Sequence, residues 1–263
     1  MKLSFLTFVV LASHLGLSGF ALAQDQPAGD QQPGRPAGPP DFFAVGAAAS
    51  SGQVEFRGGT FQINAFPFIN FKKGRFYSNQ AGVGYEAYKN DTYRLSVVTE
   101  VGVNEQNRND VDALDDMQNL GLPIYGGLSL DVNVVDFVLT GTIQRELGFA
   151  SEGWRAFAAI SLPYNVSRKL TVSPSITVQW SDSRLTNYLY GVAANDVQPG
   201  RTAYETGDSF QGNAGVTGVY RLSNKVTLIG SGGMNWYGDS IVDSPIVDRR
   251  TALSMFLAVG YAF

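Results

Sequence analysis

Apolar and polar residues alternate with period two through most of the chain from Phe42 onward. Tyr93, Leu95, Val97, Thr99, Val101 and Val103 share one face of an extended segment, with Arg94, Ser96, Glu100 and Gly102 on the other. Trp154, Ala156, Ala158, Ile160 and Leu162 alternate with Arg155, Phe157, Ala159 and Ser161. Leu170, Val172, Pro174, Ile176, Val178 and Trp180 alternate with Thr171, Ser173, Ser175, Thr177 and Gln179. Phe210, Ala214, Val216 and Tyr220 do the same with Gln211, Asn213, Thr217 and Arg221. Such runs are longer than most strands of soluble proteins. A strand crossing a bilayer needs about 9–11 residues, apolar outward and polar inward. Tyr93, Trp154, Trp180, Tyr220, Trp236 and Tyr261 stand near strand ends, where interfacial aromatic girdles lie.

The pattern predicts an all-β fold, a transmembrane antiparallel up-and-down β-barrel of about 12 strands. They fall at 42–51, 60–71, 75–88, 92–104, 119–131, 133–147, 153–164, 168–181, 186–193, 209–222, 225–238 and 251–263. Lys73-Gly74, Asn90-Asp91, Asn165 and Ser223-Asn224 are turn signals between them. An even count puts both chain ends in the periplasm. It also makes the acidic segment Asn104–Gln118 a periplasmic connection, although such turns are usually short. Either that loop is unusual or the count is wrong by one strand somewhere. A soluble sandwich also wets one face of each strand, but seldom sustains strands this long with so many terminal aromatics.

The first residues read as an export signal. Lys2 supplies the positive start, Leu3 to about Leu17 the apolar run, and Ala21-Leu22-Ala23 the small-x-small cleavage site. Ser13, His14 and Gly16 interrupt the run and disfavour a membrane anchor. Residues 24–40 are rich in Pro, Gly, Gln and Asp and carry no large apolar side chain. They cannot offset the entropy of ordering, which predicts a flexible periplasmic tail. The organisation is thus a signal peptide at 1–23, a tail at 24–40 and an outer-membrane barrel at 41–263.

Composition then removes function classes. There is no cysteine, and the one histidine, His14, lies in the signal. Ser-His and Cys-His nucleophilic chemistry and the usual zinc sites are therefore excluded from the mature chain. The expectation is a protein without enzymatic activity, metal or cofactor. The net charge of −4 becomes −5 once Lys2 is cleaved away, which argues against nucleic acid.

The terminal strand is the most specific local signal. Leu253, Met255, Leu257, Val259, Tyr261 and Phe263 lie on one face; Ser254, Ala258, Gly260 and Ala262 lie on the other, with Phe256 the exception. A terminal aromatic preceded by alternate apolar positions resembles the signal read by barrel assembly machinery, which can recognise a strand by its edge. The plainer alternative is a last strand that merely ends at the terminus.

Tyr188-Leu189-Tyr190-Gly191-Val192, Asp243-Ser244-Pro245-Ile246-Val247 and the ending Gly260-Tyr261-Ala262-Phe263 carry a family resemblance. Pro67 and the stretch Leu114–Leu120 add weaker matches. Over roughly 42–263 the chain resembles the MltA-interacting protein (MipA/OmpV) family. The resemblance implies an outer-membrane barrel, in contact with membrane lipid and lipopolysaccharide. It also implies a scaffold role, in which a murein-degrading lytic transglycosylase is tethered to a penicillin-binding protein. A narrow solute channel and a surface adhesin remain open as alternatives.

Local readings stay open too. Asp243-Ser244-Pro245 reads as turn architecture, or Asp239, Asp243 and Asp248 face a divalent cation. Tyr188 and Tyr190 alternate as they would in an outer girdle. Arg94, Glu100, Asp136, Gln144, Arg145, Arg155, Gln179 and Arg221 are candidates for the lumen, where charges in a small barrel pair and plug it.

Overall fold

The computed structural model describes residues 41–79, 82–102, 111, 114, 116, 117, 120–148 and 151–263. The signal peptide and tail read from the sequence lie outside these residues. Alternation becomes geometry in a closed antiparallel ring. Its strands are β1 (Phe42–Gln53), β2 (Phe61–Lys73), β3 (Phe76–Asn79), β4 (Gly82–Lys89), β5 (Tyr93–Val101), β6 (Ile124–Val134) and β7 (Phe137–Glu146). The ring continues with β8 (Trp154–Ser161), β9 (Tyr164–Asn165), β10 (Leu170–Ser181), β11 (Ser209–Arg221), β12 (Val226–Tyr237) and β13 (Thr251–Ala262). β9 extends β8 past Pro163 along the same edge of β10, so the thirteen segments make twelve staves. β13 pairs with β1 from Ala44↔Ala262 to Gly52↔Ser254 and closes the barrel. No helix among the described residues is long and apolar enough to cross a membrane.

The faces sort as the pattern predicts. On β13, Leu253, Met255, Leu257, Val259 and Tyr261 point out and are exposed, as is Phe263 just beyond, while Ala252, Ser254, Phe256 and Ala258 are buried inside. Ile176, Val178, Phe210 and Val216 are likewise exposed outward, and Ser173, Ser175, Thr177, Gln179, Gln211 and Asn213 are buried inward. In water these outward rows would be a liability; against lipid tails they are the natural surface of a barrel.

Two strand assignments differ from the sequence reading, and they offset each other in the count. The segment 75–88 is not one strand. Asn79 pairs with Gly82, so the chain reverses there and makes two short strands, β3 and β4. The segment 186–193 is not a strand at all. It is mostly helix α1 (Ser183–Tyr190), started by Asp182, whose side chain accepts the Leu185 N–H at 2.9 Å. The count stays at twelve, but every connection between the two errors changes sides. The link from β5 to β6 now lies at the extracellular end, with the links 54–60, 182–208 and 238–250. The periplasmic turns are the short ones, from β2 to β3, β4 to β5, β6 to β7, β9 to β10 and β11 to β12.

Ring closure leans on Gly46. A Cβ there would fall 1.7 Å from the Val259 carbonyl oxygen, backbone that cannot move aside. We expect Gly46→Ala to reduce the folded fraction on unboiled electrophoresis, where closed barrels keep an altered mobility. Gly141→Ala, whose Cβ would meet nothing within 4 Å, should fold as the parent does.

Candidate functional site: a capped, charge-lined lumen

The extracellular links fold back into one apolar cap over the barrel mouth. Val54, Phe56, Leu114, Tyr190, Val192, Ile241, Ile246 and Val247 are buried there in a single cluster. Phe56 and Tyr190 stack at 5.6 Å between ring centres. Backbone bridges Phe56↔Val247 and Val192↔Tyr204 stitch the loops together, and the Arg57 N–H donates to the Ile246 carbonyl at 2.8 Å. The helix α1 follows from local chemistry: Asp182 caps it, Leu185, Thr186 and Tyr190 are its buried residues, and Tyr190 enters the cluster. A second single-turn helix, α2 (Asp239–Val242), buries Ile241.

A carboxylate sits in this cap. Glu55 accepts the hydroxyls of Tyr190 at 3.0 Å and Tyr237 at 3.3 Å. Desolvation pushes its carboxyl above the usual glutamate value, partly opposed by a backbone hydrogen bond and the two tyrosine hydroxyls.

Below the cap, charged side chains pair along the inner wall in two sets. Near the periplasmic end Lys72 ion-pairs with Glu86. Arg94 grips Asp131 through two nitrogens at 2.7 and 2.8 Å, and Thr140 donates to the other Asp131 oxygen at 2.6 Å. Nearer the cap, Arg155 pairs with Glu100 at 3.0 Å, donates to Gln144 at 2.9 Å and lies 3.5 Å over the Tyr125 ring. Glu146 turns to the backbone instead, accepting the N–H groups of Gly148, Ser151 and Glu152. Arg94, Glu100, Gln144, Arg155 and Gln179 thus stand inside, as the sequence pattern predicts. Asp136 does not: it is exposed in the turn between β6 and β7. Arg145 points outward, 5.8 Å over the Trp154 ring and 3.9 Å from Glu152, because it is one residue out of phase with Gln144. Arg221 is half-buried at the periplasmic end of β11. Lys72, Glu86 and Asp131 were missed by the sequence reading, although each shares the inward phase of its strand.

The sequence profile of the MltA-interacting protein MipA family matches residues 45–263. The chain belongs to this family. It is 22% identical over 227 residues to the MltA-interacting protein of Escherichia coli K12, covering 84% of this chain and 90% of that one. It is 21% identical to the putative outer membrane protein YiaT of the same strain, over 84% of this chain and 91% of the relative. The 24 kDa outer membrane protein of Pasteurella multocida is 22% identical, with 85% and 90% covered. Among solved structures it is similar to an outer membrane channel of Pseudomonas putida F1, with TM-score 0.44, 12% identity and 89% and 100% of the two chains covered. This MipA-family barrel resides in the outer membrane.

Two of the segments that carried the resemblance, 188–192 and 243–247, converge in the cap, while 260–263 ends the last stave at the opposite rim. Tyr190 is not in an outer girdle but buried against Phe56, because helix phase, not strand phase, sets its direction. Tyr188 reaches back to Gly121, accepting its N–H at 2.6 Å. Gly191 ends α1 where a Cβ would lie 2.3 Å from the Asn187 side-chain oxygen. Val192 enters the cluster, and Ser244 donates to the Tyr190 carbonyl at 2.6 Å. Ile246 and Val247 are buried beside them, while Asp243 stays exposed ahead of half-buried Pro245. Asp239 pairs with Arg250 at 2.7 Å and Asp248 with Arg249 at 3.6 Å. The three aspartates therefore do not gather round one point, and turn architecture is what the segment builds.

Two outcomes follow from this geometry. Arg155→Ala strands the buried Glu100 carboxylate and should cost about 3–5 kcal/mol in denaturant unfolding, whereas Arg155→Met with Glu100→Leu should recover most of it. Glu55 binds its proton more tightly folded than unfolded. Its stabilising contribution is therefore complete below the ordinary value of 4.5 and is lost as pH rises through the raised one. Glu55→Gln should flatten this dependence, so its advantage over the parent in cap proteolysis should grow from pH 4 to pH 8.

Proposed function

We propose that this protein is a non-enzymatic, non-conducting scaffold that fixes a murein-remodelling enzyme to the outer membrane. The observation that carries the reading is the apolar cap packed at the barrel mouth, with paired charges lining the inner wall from β2 to β8 beneath it. A twelve-stave barrel is already narrower than open porins of 16–18 strands, and inward side chains narrow it further. The relative named MltA-interacting protein suggests the class of partner, a lytic transglycosylase, and the family resemblance adds a penicillin-binding protein as the second enzyme. On the same proposal residues 1–23 direct export, and the row Leu253, Met255, Leu257, Val259, Tyr261 and Phe263 is read by the assembly machinery.

The periplasmic rim supports a docking role. Lys73, Arg75, Arg168, Lys169 and Lys225 are exposed on its turns. None of the five has a carboxylate within ion-pair distance among the described residues. Unpaired cations on a rim accelerate and orient the approach of an acidic surface and do so less at high salt.

The second reading, a narrow solute pore, draws on the hydroxyl-rich inner face. Planar-bilayer recording of the purified barrel separates the two: the scaffold reading expects no steps above background, and regular steps would defeat it. Replacing Lys73, Arg75, Arg168 and Lys169 with Glu should weaken binding of a purified lytic transglycosylase at least tenfold at low salt. Undiminished binding would place the contact elsewhere.

A further inference from the structure

The barrel wall is not paired all the way round. The ladder between β2 and β3 stops after Lys72↔Tyr77 and Lys73↔Phe76. From Phe61 to Phe71 β2 has no strand partner on that side among the described residues, although it pairs with β1 throughout. The phase of the open edge can be read from one residue. Phe71 donates its N–H to the Ser78 hydroxyl at 3.1 Å and takes that hydroxyl on its carbonyl at 3.5 Å. Both polar groups of Phe71 therefore face β3. In an antiparallel strand these groups alternate sides residue by residue, so those of Ile69, Pro67, Ala65 and Ile63 face the same way. Gln62 has the opposite phase, and its carbonyl indeed takes the Ser51 hydroxyl on β1 at 3.0 Å. Pro67 offers no N–H, and proline within a sheet belongs on such an edge.

This edge lies at hydrocarbon depth. Pro67 stands midway along β2, opposite Ala47 midway along β1. Bare backbone there is tolerated only where it borders protein or a polar cavity. Immediately inside, the lumen is apolar. Phe66 and Phe68 pack with Ala48, Ile229, Phe256 and Ala258, and the Phe66 and Phe256 rings are 6.3 Å apart. Phe66 and Phe68 are only partly buried in this packing. At the foot of the same strand, Lys72, Lys89 and Arg94 outnumber Glu86 and Asp131 by three to two. An apolar wall thus leads from a gap in the barrel to a net positive charge, beneath a mouth that the cap closes.

We propose that the β2–β3 seam is a lateral entry to a lumenal binding site for a single-chain amphiphile with an anionic head group. The alkyl chain lies on Phe66, Phe68 and Phe256, and the head group meets the Lys72 cluster. Entry from the membrane needs no opening of the cap, so the site is compatible with a barrel that passes no current and does not depend on the scaffold reading.

Radiolabelled laurate and dodecyltrimethylammonium, added to the full barrel in uncharged detergent, are the probes. Laurate should bind saturably and dodecyltrimethylammonium should not. Phe66→Asn with Phe68→Asn should weaken laurate at least tenfold. Lys72→Gln, which leaves Glu86 its contacts with Lys89 and Arg94, should weaken laurate several-fold while the barrel keeps its folded mobility. Equal binding of both probes, or laurate binding unchanged in both variants, overturns the proposal. Hydrogen exchange in phosphatidylcholine nanodiscs tests the seam itself. The amides of Ile63, Ala65 and Ile69 should exchange faster than those of Gln62 and Asn64, and laurate should slow them. Equal protection without laurate, including protection that appears only as barrels associate, means the edge is already occupied by protein and defeats lateral entry.

Discussion

Every backbone N–H and C=O inside a bilayer needs a partner, and this constraint organises the molecule. Each unpaired group would cost several kcal/mol in hydrocarbon, so an up-and-down sheet must close on itself. Closure here is the β13–β1 ladder, and Gly46 is where two backbones come too near for any side chain. Once the ring exists, period two decides everything else about each strand: one side chain goes to lipid, the next to the lumen. The charges that end up inside cannot keep their water, and they are accommodated by pairing with one another along the inner wall, as Arg94 does with Asp131 on the next strand and Arg155 with Glu100 three strands away.

Much of this was legible in the chain because the signal is repeated. Long strands such as β10 and β11 show a dozen alternating positions, and their predicted limits fall within about two residues of the observed ones. β3 failed for the converse reason. Four residues are too few to show a period, and the reversal between Asn79 and Gly82 carries no Gly or Pro at its centre. The acidic segment 104–118 had registered the error as a loop on the wrong side. Tertiary structure resolved it by adding one strand before the segment and removing another after it.

The cap was the least legible part. Tyr188-Leu189-Tyr190 alternates like a strand over three residues, and only Asp182, three positions before Leu185, marks a helix start. Nothing local says that Tyr190 will meet Phe56 or that Ser244 will bond to the Tyr190 carbonyl. Those contacts arise from loops that the ring brings to one end. The lumen was intermediate. Phase identified Glu100, Gln144 and Arg155, and the same rule, applied strictly, would have excluded Arg145 and admitted Asp131.

The Glu55 carboxylate bonds to Tyr190 and Tyr237, 135 and 182 residues further along the chain. Such contacts are strongly non-local, and non-local contacts form late because the intervening loop must be ordered first. The cap therefore cannot precede the ring. Its two tyrosine hydroxyls meet their acceptor only when the first and last staves stand side by side. In the life of the protein this makes the outer surface a record of completed insertion: a chain arrested partway would present separate loops to the outside, and a finished one presents a packed cap.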